Sequence, residues 1–307
     1  WLTHRLFRRL LWPLTFMKKT LLTWVAVLLF VVTAGAAQRP NVVLVITDDQ
    51  GYGDLSCHGN PVLKTPHLDR LHADSVRLTD YHVAPTCSPT RAALITGHWT
   101  NRTGVWHTIM GRSMLRDNEV TIGQIMADGG YHTAMFGKWH IGMTFFDKAG
   151  KPINQNGLPA VKRIDYSRAI PDAPIHRGFD YFFGTVCCPT TDWLYAFVDG
   201  DRIPVPPTHI VDRTPLPKHP YSNDNRPGMI APGFDLEEVD MVFLERSLKF
   251  LDNHAKQSPK KPFFLFHSMQ AVHLPSFPGD AFKGKTKAGP HGDFIFEMDF
   301  IVGELIK

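Results

Sequence analysis

The run Asn41-Val42-Val43-Leu44-Val45-Ile46-Thr47 admits few folds. Its residues are apolar without alternation and mostly β-branched, the pattern of a strand buried on both faces, as in a parallel sheet covered by helices. It ends in Asp48-Asp49-Gln50-Gly51-Tyr52-Gly53. Two adjacent carboxylates at the carboxyl end of a central strand are costly to hold together without a cation. Oxygen ligands of this kind suit Ca²⁺ or Mg²⁺ rather than a soft metal. An ordinary Asp-Asp turn is the alternative.

The same arrangement recurs downstream. Thr121 caps a short helix carrying Ile122, Ile125 and Met126. Gly129-Gly130 stops it, and Tyr131 to Phe136 reads as a strand with Lys138 and His140 just beyond it. Asp235 to His254 is amphipathic, with Leu236, Val239, Phe243, Leu244, Leu248 and Leu251 at helical spacing. Pro262 to Phe266 is another buried strand, followed by the loop His267 to Pro275, and Gly292 to Lys307 reads as a last helix. Surface or capping roles are expected for His267 and His291. Strands alternating with helices, with polar residues at the strand ends, predict an open α/β sheet whose site lies beyond its carboxyl ends.

A further strand is expected over Val76 to Val83, leading through Ala84-Pro85-Thr86 to Cys87-Ser88-Pro89-Thr90-Arg91. Pro89 suits the first turn of a helix that continues through Ala92 to Ile95, and Gly97 can end it. Cys87 then sits at a helix start, where free N–H groups and the helix dipole favour an anion. Arg91 lies one turn further on. Thr65-Pro66 opens another helix, with Thr65 as cap and Leu68 and Leu71 expected to face inward.

The string Cys-x-Pro-x-Arg followed by Leu94-Ile95-Thr96-Gly97-His98 resembles the signature of the type I sulfatases. Gly130-Tyr131-His132-Thr133-Ala134-Met135-Phe136-Gly137-Lys138-Trp139-His140 is similar to that family's second signature. The resemblance runs from about Arg39 to the end of the chain. It implies an alkaline-phosphatase-like α/β fold with a central, mostly parallel sheet flanked by helices. It also implies that a maturation enzyme oxidises Cys87 to formylglycine, whose hydrate attacks the sulfur of an aryl or carbohydrate sulfate ester. The covalent sulfate then collapses back to the aldehyde. Asp48, Asp49 and the modified Cys87 would hold Ca²⁺, with Mg²⁺ as the alternative. Arg91 would support the nucleophile, and Lys138 and His273 would bind the sulfate. His273 is assigned as general acid and His140 as base, roles the two can exchange. His273 matches the family's histidine after the Pro262–Phe266 strand, and Cys187-Cys188 stands where some members carry a serine.

Family members also carry a later strand ending in an Asp-Asn metal pair, a further lysine and a smaller C-terminal domain. None follows Lys307, so the sequence is expected to be the N-terminal part of a sulfatase, inactive alone. A phosphonate or phosphate monoester hydrolase of the same superfamily, and a non-catalytic sulfatase-like fragment, are the rival readings. Residues 147–232 are irregular and rich in proline and glycine, as binding loops often are.

Charge excludes one class of partner. Residues 1–37 carry Arg5, Arg8, Arg9, Lys18 and Lys19 and no acid. These five charges exceed the chain's net +4, so the remainder is slightly acidic and no nucleic-acid partner is expected. Met17-Lys18-Lys19, the apolar run Leu21 to Val32 and Ala34-Gly35-Ala36-Ala37 read as a signal peptide over residues 17–37, preceded by upstream sequence over 1–16. The run is shorter than the ~20 residues a spanning helix needs. The mature chain, 38–307, is therefore expected to lack a membrane span and to be exported: periplasmic or secreted, or lysosomal or extracellular in a eukaryote.

Overall fold

A computed structural model describes residues 39–108 and 114–307. The expected signal peptide and the segment before it lie outside the described residues. The main strands are β1 (Val42–Ile46), β2 (His132–Lys138), β3 (Tyr181–Thr185), β4 (Val198–Asp199) and β5 (Phe263–Ser268). The main helices are α1 (Pro66–Ala73), α2 (Cys87–Thr96), α3 (Ile122–Asp128), α4 (Val239–Gln257) and α5 (Gly289–Leu305).

The central sheet has the order β1-β5-β2-β3-β4. Its first four strands are parallel and β4 closes the edge antiparallel. The register puts the chemistry at one end: Ile46 pairs with Ser268, Ser268 with Gly137, and Gly137 with Gly184. Residues leaving β1, β5, β2 and β3 therefore emerge side by side. Helix α4 packs on β2, β5 and β3, burying Val239, Phe243, Leu244 and Phe250, while α5 packs on α4 and α1. No described helix is long and apolar enough to cross a membrane.

Several elements differ from the sequence reading. Residues 76–83 form no strand. Val76, Leu78, Tyr81 and Val83 are exposed, and the segment has no ladder partner among the described residues. An apolar, β-prone string becomes a strand only where a sheet edge is there to accept its N–H and C=O groups. For the same reason β1, at the edge of the described sheet, is only half-buried rather than covered on both faces. Leu71 is exposed while Leu68 packs on the core. Thr65 occupies the cap position of α1, but its hydroxyl donates to Asp69 and accepts from the Ser56 amide instead of capping. His267 is no surface residue, because β5 continues two residues beyond Phe266. The imidazole is wholly buried against the Ser247 hydroxyl, 2.8 Å away, and burial drives its pKa down to about 3. The aromatic stretch Tyr181–Thr185, inside the irregular region, supplies a parallel strand of the main sheet.

The glycine pair Gly137 and Gly184 sets how closely the strand ends approach. A Cβ on Gly137, whose φ is 115°, would lie 1.9 Å from the Ser268 carbonyl oxygen. One on Gly184 would lie 1.8 Å from that of Gly137. Backbone obstructs both positions and cannot yield as a side chain could. The variant Gly137→Ala is expected to lose more than about 3 kcal/mol of stability, read as a lowered urea midpoint at unchanged slope.

Candidate active site

At the carboxyl end of the sheet, Asp48 leaves β1 and is clamped by the loop after β5. Its amide donates to the Ala271 carbonyl and its own carbonyl accepts from the Val272 amide, each at 2.9 Å. The carboxylate is buried and forms an ion pair with the Lys138 ammonium at the end of β2. On its other oxygen it meets the Arg91 guanidinium at 3.4 Å. Burial opposes ionisation of Asp48, but the two cations outweigh it and bring the pKa down to about 2. Burial likewise opposes the charge on Lys138, and the attraction of Asp48 raises its pKa in spite of it.

Arg91 is as buried as its partners. Its Nη1 donates to the Lys138 carbonyl at 3.0 Å and to the Ser268 hydroxyl, which in turn donates to the same carbonyl at 2.6 Å. One helical turn earlier on the same helix stands Cys87, the first residue of α2, and Gly97 ends that helix in the left-handed conformation. The sequence thus fixes the distance between thiol and guanidinium, and the sheet fixes what the guanidinium grips.

His140, two residues past β2, is held at φ 57° by its amide's bond to the Val186 carbonyl at 3.0 Å. Asp49 is also in the left-handed region, at φ 54°. Such backbone costs non-glycine residues of order 1 kcal/mol and collects at functional sites. The twist turns Asp49 away from Asp48: its side chain is 55% exposed at the rim, 3.5 Å from the His273 Nε2. Asp48, Cys87, Lys138 and Arg91 are therefore gathered in the interior, His140 and His273 flank them, and Asp49 stands outside.

The centre of the group is Cys188, in the loop after β3. Its sulfur lies 3.7 Å from the His140 Nδ1 and 3.7 Å from the His273 Nε2. The Asp48, Cys87, Cys188 and His273 ligand atoms all fall within 4.8 Å of one another. Burial opposes the Cys188 thiolate, yet bonds from Cys187 and Cys87 and the charges of Lys138 and His140 hold its pKa well below the ordinary thiol value. Cys87, bonded to Cys188 and buried, is held protonated well above that value. Burial alone would lower the His273 pKa; the Cys188 thiolate beside it raises it to about 9 instead. Cys87, Cys188, His140 and His273 line a cavity of about 160 Å³ whose wall also includes Thr108, Asn156, Asp192 and Arg226.

Among the ligands expected for a hard divalent cation the carboxylates are Asp48 and Asp49. Both Asp48 oxygens are already taken by Lys138 and Arg91. That falls short of the six to eight oxygens Ca²⁺ takes.

Sequence reasoning missed three contributors. Cys188 was noted only as a departure from the family's serine. Ser268 gave no signal, since a serine at a strand end is common. Asp240, in the first turn of α4, is buried and accepts from the Gln270 and Ala271 amides at 2.9 and 2.8 Å. It thereby holds the loop that clamps Asp48 and carries His273. Its apolar-face position was legible; its charge among apolar neighbours was the missed clue.

Comparison with known proteins places the architecture. A family model described as Sulfatase matches residues 40–307. Human arylsulfatase A is 31% identical over 297 residues, covering 91% of this chain and 50% of that protein. Human steryl-sulfatase is 30% identical, covering 89% and 52%. N-acetylgalactosamine-6-O-sulfatase of Bacteroides thetaiotaomicron is 28% identical, covering 88% and 55%. Among solved structures, a sulfatase from Pseudoalteromonas sp. superposes with a TM-score of 0.64 at 26% identity, covering 90% of this chain and 52% of that one. The chain spans about half the length of the curated relatives it matches.

Asp240 offers a test of the clamp. Burial raises its pKa to about 6, against 3.8 for an ordinary aspartate. A raised carboxyl pKa stabilises the fold below the unfolded-state value, and that contribution is lost as pH rises through the folded-state value. Stability is therefore expected to fall between roughly pH 4 and 6 by up to about 3 kcal/mol from this group. Asp240→Asn should remove that slope while leaving one loop amide unpaired, at a cost of about 1–3 kcal/mol. Urea titrations of both proteins across this range would measure the two effects.

Proposed function

The chain belongs to the sulfatase family, and on that premise we propose that it carries the nucleophile-bearing half of a sulfate ester hydrolase. The observation behind this reading is that Cys87, His140 and His273 line one cavity, while Arg91, one helical turn from Cys87, and Lys138 pair with Asp48 in the interior. Full activity is assigned to the whole protein, of which residues 38–307 form the N-terminal catalytic portion. The leader-like sequence over 17–37 supports export.

Cys87 is the proposed site of oxidation by a formylglycine-generating enzyme. Its place at the head of α2, at the cavity wall, suits the modification, which supplies a hydrated aldehyde oxygen as nucleophile. Arg91 positions that group through the helix and fixes Lys138 by gripping its carbonyl. Lys138 and Arg91 together concentrate positive charge against the nucleophile, where the sulfate oxygens would lie. His273, with its pKa near 9, is protonated at neutral pH and suited to give its proton to the departing alcohol oxygen. His140, whose Nδ1 lies 3.7 Å from the Cys188 sulfur, is the proposed base.

Ca²⁺, or Mg²⁺ in its place, is proposed to be held by Asp48, Asp49 and the oxidised Cys87, with the remaining ligands from outside the described residues. Substrates are proposed to be aryl or carbohydrate sulfates. The polar wall formed by Thr108, Asn156, Asp192 and Arg226 supports a hydroxyl-bearing leaving group.

Two measurements on the whole protein test the reading. Made in a host with the maturation enzyme, the Cys87 peptide should carry the mass of formylglycine; an unmodified thiol throughout would favour a non-catalytic protein. Replacing His273 with Ala should lower kcat for an aryl sulfate by roughly 10²- to 10⁴-fold, with a smaller loss for substrates whose leaving group needs no proton.

A further inference from the structure

Away from the active site, Cys57, His58 and His72 bring one sulfur and two imidazole nitrogens within 4.8 Å of one another. Cys57 and His58 lie in a 3₁₀ turn, Ser56–His58, and His72 lies near the end of α1. All three side chains are half-buried. We propose that they form a binding site for a soft or borderline divalent cation such as Zn²⁺, independent of the hydrolytic centre.

Three observations carry this. The His72 Nε2 is shielded from solvent and has no hydrogen-bond partner. A buried ring nitrogen left unpaired is uncommon and calls for a partner such as an ion. The His58 Nδ1 lies 2.8 Å from the Tyr52 carbonyl oxygen, to which it can only donate. That fixes the tautomer in which Nε2 keeps its lone pair, the outer-shell bond typical of metal-binding histidines. The Tyr52 ring stacks on His58, centroids 4.2 Å apart and planes 9° apart, which sets the orientation of the imidazole.

Chemistry and spacing agree with the choice of ion. Thiolate and imidazole together favour Zn²⁺ over Ca²⁺ or Mg²⁺. A tetrahedral ion about 2.1 Å from nitrogen and 2.3 Å from sulfur needs ligand atoms roughly 3.3–3.8 Å apart. Atoms already within 4.8 Å reach that spacing by small side-chain rotations. Cys57 gives its proton to solvent on binding and keeps its amide bond to Asp69 at 2.9 Å. The fourth position is left to water or to Asp69. The ion would tie the segment after Asp48-Asp49 to α1.

Co²⁺ titration of the full chain, with Zn²⁺ as competitor, tests the site. One equivalent should give tetrahedral visible bands with a thiolate charge-transfer band, both displaced by Zn²⁺. Cys57→Ser should abolish the charge-transfer band. His72→Asn and His58→Gln should each weaken binding at least roughly tenfold, with far-ultraviolet circular dichroism checking the fold of each variant. Cys87→Ser and Cys188→Ser should leave the signal intact. Absence of the band in the unaltered chain, its survival in Cys57→Ser, or its loss only with Cys87→Ser or Cys188→Ser would overturn the proposal. The readout needs no turnover, so its failure leaves the hydrolase reading standing.

Discussion

The ion pair between Asp48 and Lys138 is the interaction on which the site depends. Both groups are almost completely removed from water, and two charges so buried are tolerated only because each neutralises the other. Arg91 adds a second cation, and its Nη1 donates to the Lys138 carbonyl and the Ser268 hydroxyl. Removing Asp48 would leave two uncompensated cations in a low-dielectric interior. The cluster contributes little net stability by itself, and its consequence is positional. It fixes the ends of β1, β2 and β5 and the first turn of α2 relative to one another.

The surrounding backbone serves the same end. Gly137 and Gly184 let neighbouring strands approach where any Cβ would strike a carbonyl. Asp240 and the Asp48 main chain hold opposite sides of the Gln270–Val272 segment, so His273 issues from a loop anchored by four hydrogen bonds. Left-handed residues at Asp49 and His140 turn their side chains in directions a regular strand exit would not give. Among the described residues these are the two non-glycine positions with positive φ, and both border the site.

Cys188 alters the electrostatics of this pocket. Cys188, whose pKa is held below the ordinary thiol value, lies within 3.7 Å of both imidazoles, raises the His273 pKa and hydrogen-bonds Cys87. A serine hydroxyl at this position would do neither to the same extent, because it stays neutral. The raised His273 pKa therefore follows from one side chain in a loop remote in sequence from that histidine.

Much of this was legible in the letters. The apolar runs beginning at Asn41, Tyr131 and Pro262 specify parallel strands, buried for the last two and only half-buried for the first, at the edge of the described sheet. The spacing from Cys87 to Arg91 specifies one helical turn, and the two signature strings specify the family. Burial of His267 and exposure of residues 76–83 were not legible, because both depend on which neighbours the sheet provides. Nor was the separation of Asp48 from Asp49: adjacent in sequence, they are parted by one left-handed φ. The sequence alone determined which chemical groups stand at the strand ends, because local periodicity and caps are short-range. Only the tertiary structure decided which of them share a charge, since Asp48, Arg91, Lys138 and Cys188 meet through strand register and loop closure across more than a hundred residues of chain.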